Sequence, residues 1–155
     1  MDSYAIPPYV TSIEEVLWGA FLIALTMALH GGGVIVALRA SDALRWKKPG
    51  RPPFAASLRV LLVATWILVI VHLLEVLGWA AFFRLHDAFG NASIAFYYAL
   101  MQYTTVSSEY RRPDPLRLLG GMIAMSGLMT FAWSTSVLLI LAQGLQDLAR
   151  RPSVS

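Results

Sequence analysis

Residues 97–110 read YYALMQYTTVSSEY and lie between two long apolar segments, and they decide how the chain is expected to fold. A helix over residues 91–104 would be about 20 Å long, whereas the hydrocarbon core of a bilayer is about 30 Å thick. The segment is therefore too short to cross and should enter and leave the membrane on one side. Since non-helical backbone at membrane depth needs protein or water around it, the sequence predicts a re-entrant pore helix and a loop beside an aqueous path.

The rest of the chain has the composition of an integral membrane protein. Of its 155 residues, 57% are hydrophobic and only 14% are charged. Long runs with little or no charge predict three transmembrane helices, at 13–39, 59–84 and 117–143. The expected fold class is an all-α membrane protein with these three helices plus a pore helix and filter loop at 91–112. The first helix should remain in the mature protein, because Glu14 and Glu15 stand where a signal peptide has basic residues.

Basic residues are concentrated between the first two predicted spans and after the third. They are Arg39, Arg45, Lys47, Lys48, Arg51 and Arg59, followed at the end of the chain by Arg150 and Arg151. By the positive-inside rule, the linker 40–58 and the tail 144–155 are expected in the cytoplasm and the segment 1–12 outside. Arg45, Lys47 and Lys48 are expected to contact anionic lipid headgroups. This distribution favours a membrane surface over a nucleic acid partner.

Three ionisable residues lie deep inside the predicted spans, away from their ends. His72 and Glu75 are three residues apart and so share one helix face, and His30 of the first span can approach them. They are expected to form a buried hydrogen-bonded network that fixes the second span against its neighbours. A proton sensor, a divalent transition-metal site and a haem site are the alternatives. The chain has no cysteine, and no metal or cofactor is expected apart from a permeant cation.

Several motifs together resemble a known family. They are His30-Gly31, HLLE at 72–75 with Trp79-Ala80, AFYYALMQYTTV at 95–106 and GGMIAMSGLMTFAWSTSVLL at 120–139. With them the chain is similar to the short bacterial members of the potassium-channel pore-loop superfamily that carry one extra span before the pore module. The resemblance covers most of the chain and implies a homotetramer in the bacterial inner membrane, since one subunit supplies only one pore helix and one loop.

The filter is the part that departs from this family. Thr104, Thr105 and Val106 match the start of its signature, but Ser107, Ser108, Glu109 and Tyr110 replace glycine, tyrosine, glycine and aspartate. The family's glycines adopt left-handed conformations that cost other residues about 1 kcal/mol or more each. A ladder of carbonyl groups is therefore not expected above Val106, and potassium selectivity is not carried over.

The same segment offers different chemistry for ion binding. The candidate ion-binding residues are Thr104, Thr105, Val106, Ser107, Ser108 and Glu109. In a tetramer, four Glu109 carboxylates would form a ring that selects cations by field strength. The alternative is that Glu109 pairs with Arg111 or Arg112 in a solvated salt bridge.

The expected function is a homotetrameric pore-loop cation channel that is not strictly potassium-selective, with the third span lining its pore. Gly127 is a candidate gate hinge, or else a small contact residue at a subunit interface. A non-conducting scaffold or partner subunit is the alternative function. A redox or metal enzyme using His30, His72 and Glu75 ranks lower, and the chain lacks the motifs of soluble enzymes, so no enzyme activity is expected.

Overall fold

The structure is a computed structural model that describes residues 11–48, 52–110 and 116–150. Those ranges form four α-helices and no strand: α1 (Ile13–Leu44), α2 (Phe54–Leu85), α3 (Ala92–Tyr103) and α4 (Leu119–Arg150). Three of the helices, α1, α2 and α4, have 32 residues each and are long and apolar enough to cross a membrane. They indicate an integral membrane protein. In contrast, α3 has 12 residues and would be about 18 Å long, too short to cross.

The three long helices end beyond the segments expected from the apolar runs, which were 13–39, 59–84 and 117–143, and α2 also begins before its expected segment. A helix needs apolar residues only inside the hydrocarbon, so polar turns can continue it outside. At the end of α1, for example, the Ser41 hydroxyl donates to the Ala37 carbonyl at 2.7 Å. Pro53 is the N-cap of α2, a place where a fixed φ and a missing N–H are tolerated.

Parts of the expected segments lie outside the described residues. These parts are 1–10 of the outer segment, 49–51 of the linker, 111–115 between α3 and α4, and 151–155 of the tail. Within the described part of the linker, Arg45, Lys47 and Lys48 are exposed just beyond α1. Their contact with lipid headgroups stays a prediction.

Two side-chain caps and one buried carboxylate fix the ends of three helices. Ser12 accepts the Glu15 N–H at 3.1 Å to begin α1, and Asn91 accepts the Ser93 N–H at 2.8 Å to begin α3. The Glu15 side chain is buried and accepts the N–H of Leu118, directly before α4. A negative charge is favourable at a helix N-terminus, so Glu15 holds the first residues of α1 and α4 at the same end of the bundle.

The interior consists of two apolar clusters. In the bundle, α1 packs against α2 and α4, and α3 packs against α2 and α4. The larger cluster surrounds α3 and includes Trp79, Phe83, Tyr98, Tyr103 and Ile123. The smaller cluster lies toward the other end of the long helices and includes Val34, Ala64, Leu68, Val137 and Leu141. Polar residues occupy the level between the two clusters, and they form the candidate site described below.

The outer surface of the long helices is largely apolar. Only 33% of the apolar window of each helix is buried within the chain, and large side chains such as Phe21, Trp66, Ile70, Leu128 and Ile140 are exposed. An apolar surface of this extent is unfavourable in water. Lipid, further copies of the chain, or both are needed to cover it.

Candidate functional site

The buried network between the two clusters links all four helices. It consists of His30 on α1, His72 and Glu75 on α2, Tyr103 at the end of α3, and Ser134 on α4. His30 Nδ1 lies 2.9 Å from Glu75 Oε1, and His72 Nδ1 lies 2.8 Å from the Tyr103 hydroxyl. Ser134 Oγ lies 3.1 Å from His72 Nε2 and 3.3 Å from His30 Nε2. The Tyr103 hydroxyl donates to Glu75 Oε2, which closes the five contacts into a cycle.

The number of hydrogens in this cycle follows from the chemistry of its members. Ser134 and Tyr103 each have one hydroxyl hydrogen, and each neutral imidazole has one N–H. Four hydrogens are thus available for five contacts. The fifth is either the hydrogen of a protonated Glu75 carboxyl or the second N–H of one histidine, balanced by an ionised Glu75. When every contact is made, the network therefore carries no net charge, which lowers the cost of burying it.

Surrounding groups hold the network in place and separate it from the exterior. The Thr130 hydroxyl lies 2.6 Å from the Tyr103 hydroxyl. The Trp133 ring lies against the His30 imidazole, with centroids 5.3 Å apart, and Phe131 lies against His72 at 4.6 Å. The side chains of His30 and Glu75 are 0% exposed, whereas that of His72 is 14% exposed. His72 is thus the member nearest to the surface.

The network also fixes the depth at which α3 ends. Tyr103, its last residue, reaches Glu75 on α2 and Thr130 on α4, and both lie far from the ends of their helices. Gly127 of α4 faces the backbone carbonyl of Tyr103 so closely that a Cβ on Gly127 would overlap this oxygen. This contact lies within one chain, so it tests neither expected role of Gly127, and both the gate hinge and the contact at a subunit interface stay predictions.

The chain turns sharply at the end of α3. The N–H of Thr105 donates to the Gln102 carbonyl at 2.9 Å, and the N–H of Val106 donates to the Met101 carbonyl at 3.0 Å. Thr105 has a φ of 62°, in the left-handed region. This combination is a Schellman motif, in which glycine is the usual left-handed residue. Thr105, which the sequence places at the start of the filter, therefore ends the helix instead of continuing in an extended form.

A second left-handed residue follows at Ser107, with a φ of 72°. Ser107 stands where the resemblance places the first missing glycine, so the backbone adopts a glycine-like conformation there without glycine. Glu109, at the second missing glycine, has no positive φ. Each left-handed residue of this kind costs about 1–2 kcal/mol.

After this turn the chain runs back along α3. The Tyr110 ring contacts the Tyr97 ring with centroids 5.9 Å apart, and Glu109 and Tyr110 line a surface pocket with Ser93 of the first turn of α3. Glu109 is exposed. Its suggested partners Arg111 and Arg112 lie outside the described residues, so their pairing with Glu109 stays a prediction.

Replacing Thr105 by glycine is expected to raise the free energy of unfolding by about 0.5–1 kcal/mol. The change removes the left-handed strain of a β-branched residue, and the greater flexibility of glycine in the unfolded chain cancels part of the gain. Thermal unfolding in detergent, followed by circular dichroism, measures the effect.

Thr104→Gly is the matched control for Thr105→Gly. Thr104 has a φ of −86°, and its hydroxyl donates to the Leu100 carbonyl at 2.9 Å, so glycine should lower stability at this position. Equal destabilisation by both changes would contradict the left-handed assignment of Thr105.

Sequence reasoning singled out His30, His72 and Glu75, and the structure brings these three side chains together. It did not assign Tyr103, Thr130 or Ser134 to this group. The sequence does contain a pattern that groups two of them. Thr130 and Ser134 are four residues apart and so share one face of α4. The neighbouring hydroxyls of Thr135 and Ser136 bond back to carbonyls of their own helix.

Comparison of the chain with protein-family models, with curated proteins and with solved structures finds no match. The similarity to the potassium-channel superfamily therefore stays an expectation from the sequence motifs.

Proposed function

We propose that the protein is a homotetrameric pore-loop cation channel with an altered selectivity filter. The observation that supports it most strongly is the path of residues 92–110. A helix too short to cross a membrane lies beside two helices that are long enough, ends midway along them, and is followed by a chain that returns along the same helix. In a bilayer this path enters and leaves on one side, as a re-entrant pore helix does.

The remaining features of the channel follow from this arrangement. One chain supplies a single short helix and a single return loop, which cannot enclose an ion path, so several copies must surround it. The apolar exterior of the bundle leaves ample surface for contacts between copies. In a tetramer, the exposed Glu109 carboxylates would form a ring at the outer mouth, and cations would pass partly hydrated. The expected setting is a bacterial inner membrane, with the N-terminus outside and the C-terminus in the cytoplasm.

The turn after α3 also favours the second candidate function, a non-conducting scaffold or partner subunit. The N–H groups of Thr104, Thr105 and Val106 all donate to carbonyls in the last turn of α3. These carbonyls are then less available to a cation than the free end of a pore helix. If this closed turn persists in the assembled protein, the fold of a channel would be kept without conduction.

Replacing Glu109 by glutamine is expected to lower cation flux by about tenfold at low ionic strength, because a ring of carboxylates raises the local concentration of cations. The loss should shrink as salt is added, since salt screens exposed charge. Flux of potassium, sodium, calcium and a large organic cation into liposomes containing the purified protein measures the effect.

Glu14→Gln is the matched control for Glu109→Gln. Glu14 is also exposed and lies in the first turn of α1. It is next to Glu15, whose side chain bonds to the N–H directly before α4. Its replacement should leave flux unchanged. If a stable tetramer passes no ion under any gradient, the channel proposal fails and the scaffold takes its place. Recovery of flux in a double variant with glycine at positions 107 and 109 would assign the block to the altered filter.

A further inference from the structure

The buried network has a second property beyond its hydrogen bonds, because it brings the ligand atoms of a metal site together. His30, His72 and Glu75 each offer one nitrogen or oxygen atom, and these three atoms lie within 4.8 Å of one another. We propose that they bind one divalent transition-metal ion of the zinc class in the interior of each chain.

The distances between the donor atoms are close to those around a single ion. Zinc binds imidazole nitrogen and carboxylate oxygen at about 2.0–2.2 Å, so two ligands of one tetrahedral ion lie about 3.3–3.6 Å apart. His72 Nδ1 lies 3.4 Å from one oxygen of Glu75, within this range. His30 Nδ1 lies 2.9 Å from the other oxygen, which is a hydrogen-bond distance, so the His30 side chain has to move back by about 0.4 Å to share the ion. Two imidazoles and one carboxylate are a donor set that transition metals prefer over magnesium or calcium.

The groups behind the ligands have the arrangement that metal sites need. A histidine that binds a metal through one nitrogen usually donates its other N–H to an oxygen atom, which fixes the orientation of the imidazole. Here both Nε2 atoms face Ser134 Oγ, at 3.3 Å for His30 and 3.1 Å for His72. Ser134 can accept from both, and each Nδ1 is then free to bind the ion. The Tyr103 hydroxyl supports the Glu75 carboxylate in the same way.

A small cavity adjoins one of the three ligands. It has a volume of about 40 Å³, lies beside Glu75 and is lined mainly by leucine side chains, with Thr26 and Trp79 as its other polar members. One water needs about 30 Å³, and zinc with three protein ligands keeps a fourth position for solvent. The indole N–H of Trp79 is buried, and among the described residues it has no hydrogen-bond partner.

The metal would replace hydrogen in the network. With an ion on both Nδ1 atoms and on Glu75, the two histidines are neutral and the carboxylate is ionised, so the fifth hydrogen of the cycle is lost. A closed cycle of hydrogen bonds and a metal site are therefore alternative states of the same side chains. The ligands all come from one chain, so this inference does not rest on the proposed ion path. A protein that binds metal but passes no ions would keep this site and lose the proposed function.

The test is the metal content of the full-length protein in detergent, after chelator treatment and reloading with Zn²⁺ or Co²⁺. We expect about one Zn²⁺ per chain by elemental analysis and visible absorption bands from bound Co²⁺. X-ray absorption of the zinc-loaded protein should show two imidazoles among the ligands. His72→Gln and Glu75→Gln should each lower metal affinity by at least about tenfold, and Ser134→Ala by about tenfold through loss of the supporting oxygen.

His86→Gln is the matched control for the metal-binding variants. His86 is the third histidine of the chain, lies at the C-terminus of α2 and bonds to the Phe82 carbonyl at 3.0 Å, away from the network. Its replacement should leave one ion per chain. Less than about 0.1 ion per wild-type chain would overturn the proposal and leave hydrogen bonds as the sole closure of the network. This result needs no variant, so a variant that fails to fold cannot obscure it. Full binding by well-folded His72→Gln and Glu75→Gln would place the ion elsewhere and also overturn the assignment.

Discussion

Glu75→Ala is expected to lower the free energy of unfolding by about 3–5 kcal/mol, the largest effect of any single change considered for this chain. Glu75 is 2% exposed and contacts side chains from two other helices, His30 on α1 and Tyr103 on α3. Its removal leaves an imidazole and a hydroxyl without their acceptor in an apolar interior, and the lost side chain also leaves a cavity. Unfolding of the detergent-solubilised protein by increasing sodium dodecyl sulfate, followed by circular dichroism, measures the loss.

Two further variants test whether the loss comes from the charge of Glu75, from its volume or from its burial. Glu75→Gln keeps the volume and one acceptor oxygen, so a smaller loss of about 1–3 kcal/mol is expected. Asp42→Ala removes an exposed carboxylate whose ion pair with Arg45 is long, at 3.9 Å, and it should change stability by less than about 0.5 kcal/mol. Equal effects of Glu75→Ala and Asp42→Ala would contradict a structural role for the buried network.

Gly127→Ala is expected to lower the free energy of unfolding by about 2–3 kcal/mol. The added methyl group would overlap the backbone carbonyl oxygen of Tyr103, and a backbone atom cannot move aside as the end of a side chain can. The end of α3 would be pushed away from α4, and Tyr103 would be drawn away from Thr130 and Glu75. Thermal unfolding in detergent should show the loss, and a weaker protection of the Thr104, Thr105 and Val106 amides in hydrogen exchange should accompany it.

Gly121→Ala on the same helix is the control for Gly127→Ala. No atom lies within 4 Å of the position that a Cβ on Gly121 would occupy. Alanine is a better helix former than glycine, so this change should raise stability by up to about 1 kcal/mol. If Gly127→Ala were equally stabilising, the contact with α3 would be wrong. A folded Gly127→Ala variant with altered flux alone would instead favour the predicted gate hinge.

Local patterns in the sequence were sufficient for the presence of the three long helices. Long apolar runs indicated three helices of membrane length. The length of a helix follows from its number of residues, and its insertion into a bilayer follows from how apolar those residues are. The caps of α1 and α3, Ser12 and Asn91, are also local, because a capping side chain bonds to the backbone two or three residues away. The spacing of His72 and Glu75 also placed both on one helix face, since residues three apart are neighbours on a helix.

The ends of the hydrogen-bonded helices beyond the predicted membrane segments were not accessible from hydropathy, because hydropathy reports the extent of the hydrocarbon rather than the end of the helix. The conformation of the turn after α3 was likewise not accessible from residue types. Threonine and serine both disfavour the left-handed region, yet Thr105 and Ser107 occupy it. The fixed end of α3 and the return of the chain along it impose that conformation, and packing elsewhere offsets its cost.

By itself the sequence determined the helical class, the membrane-length helices and the three ionisable residues at their centre. Only the tertiary structure decided that Tyr103 and Ser134 join these residues in a closed cycle, and that the end of α3 packs directly against Gly127. The physical reason is the range of the interactions. Capping and periodicity act within one or two turns of a helix, whereas the cycle joins residues up to 104 positions apart. Their meeting depends on how four helices pack together, which no single segment encodes.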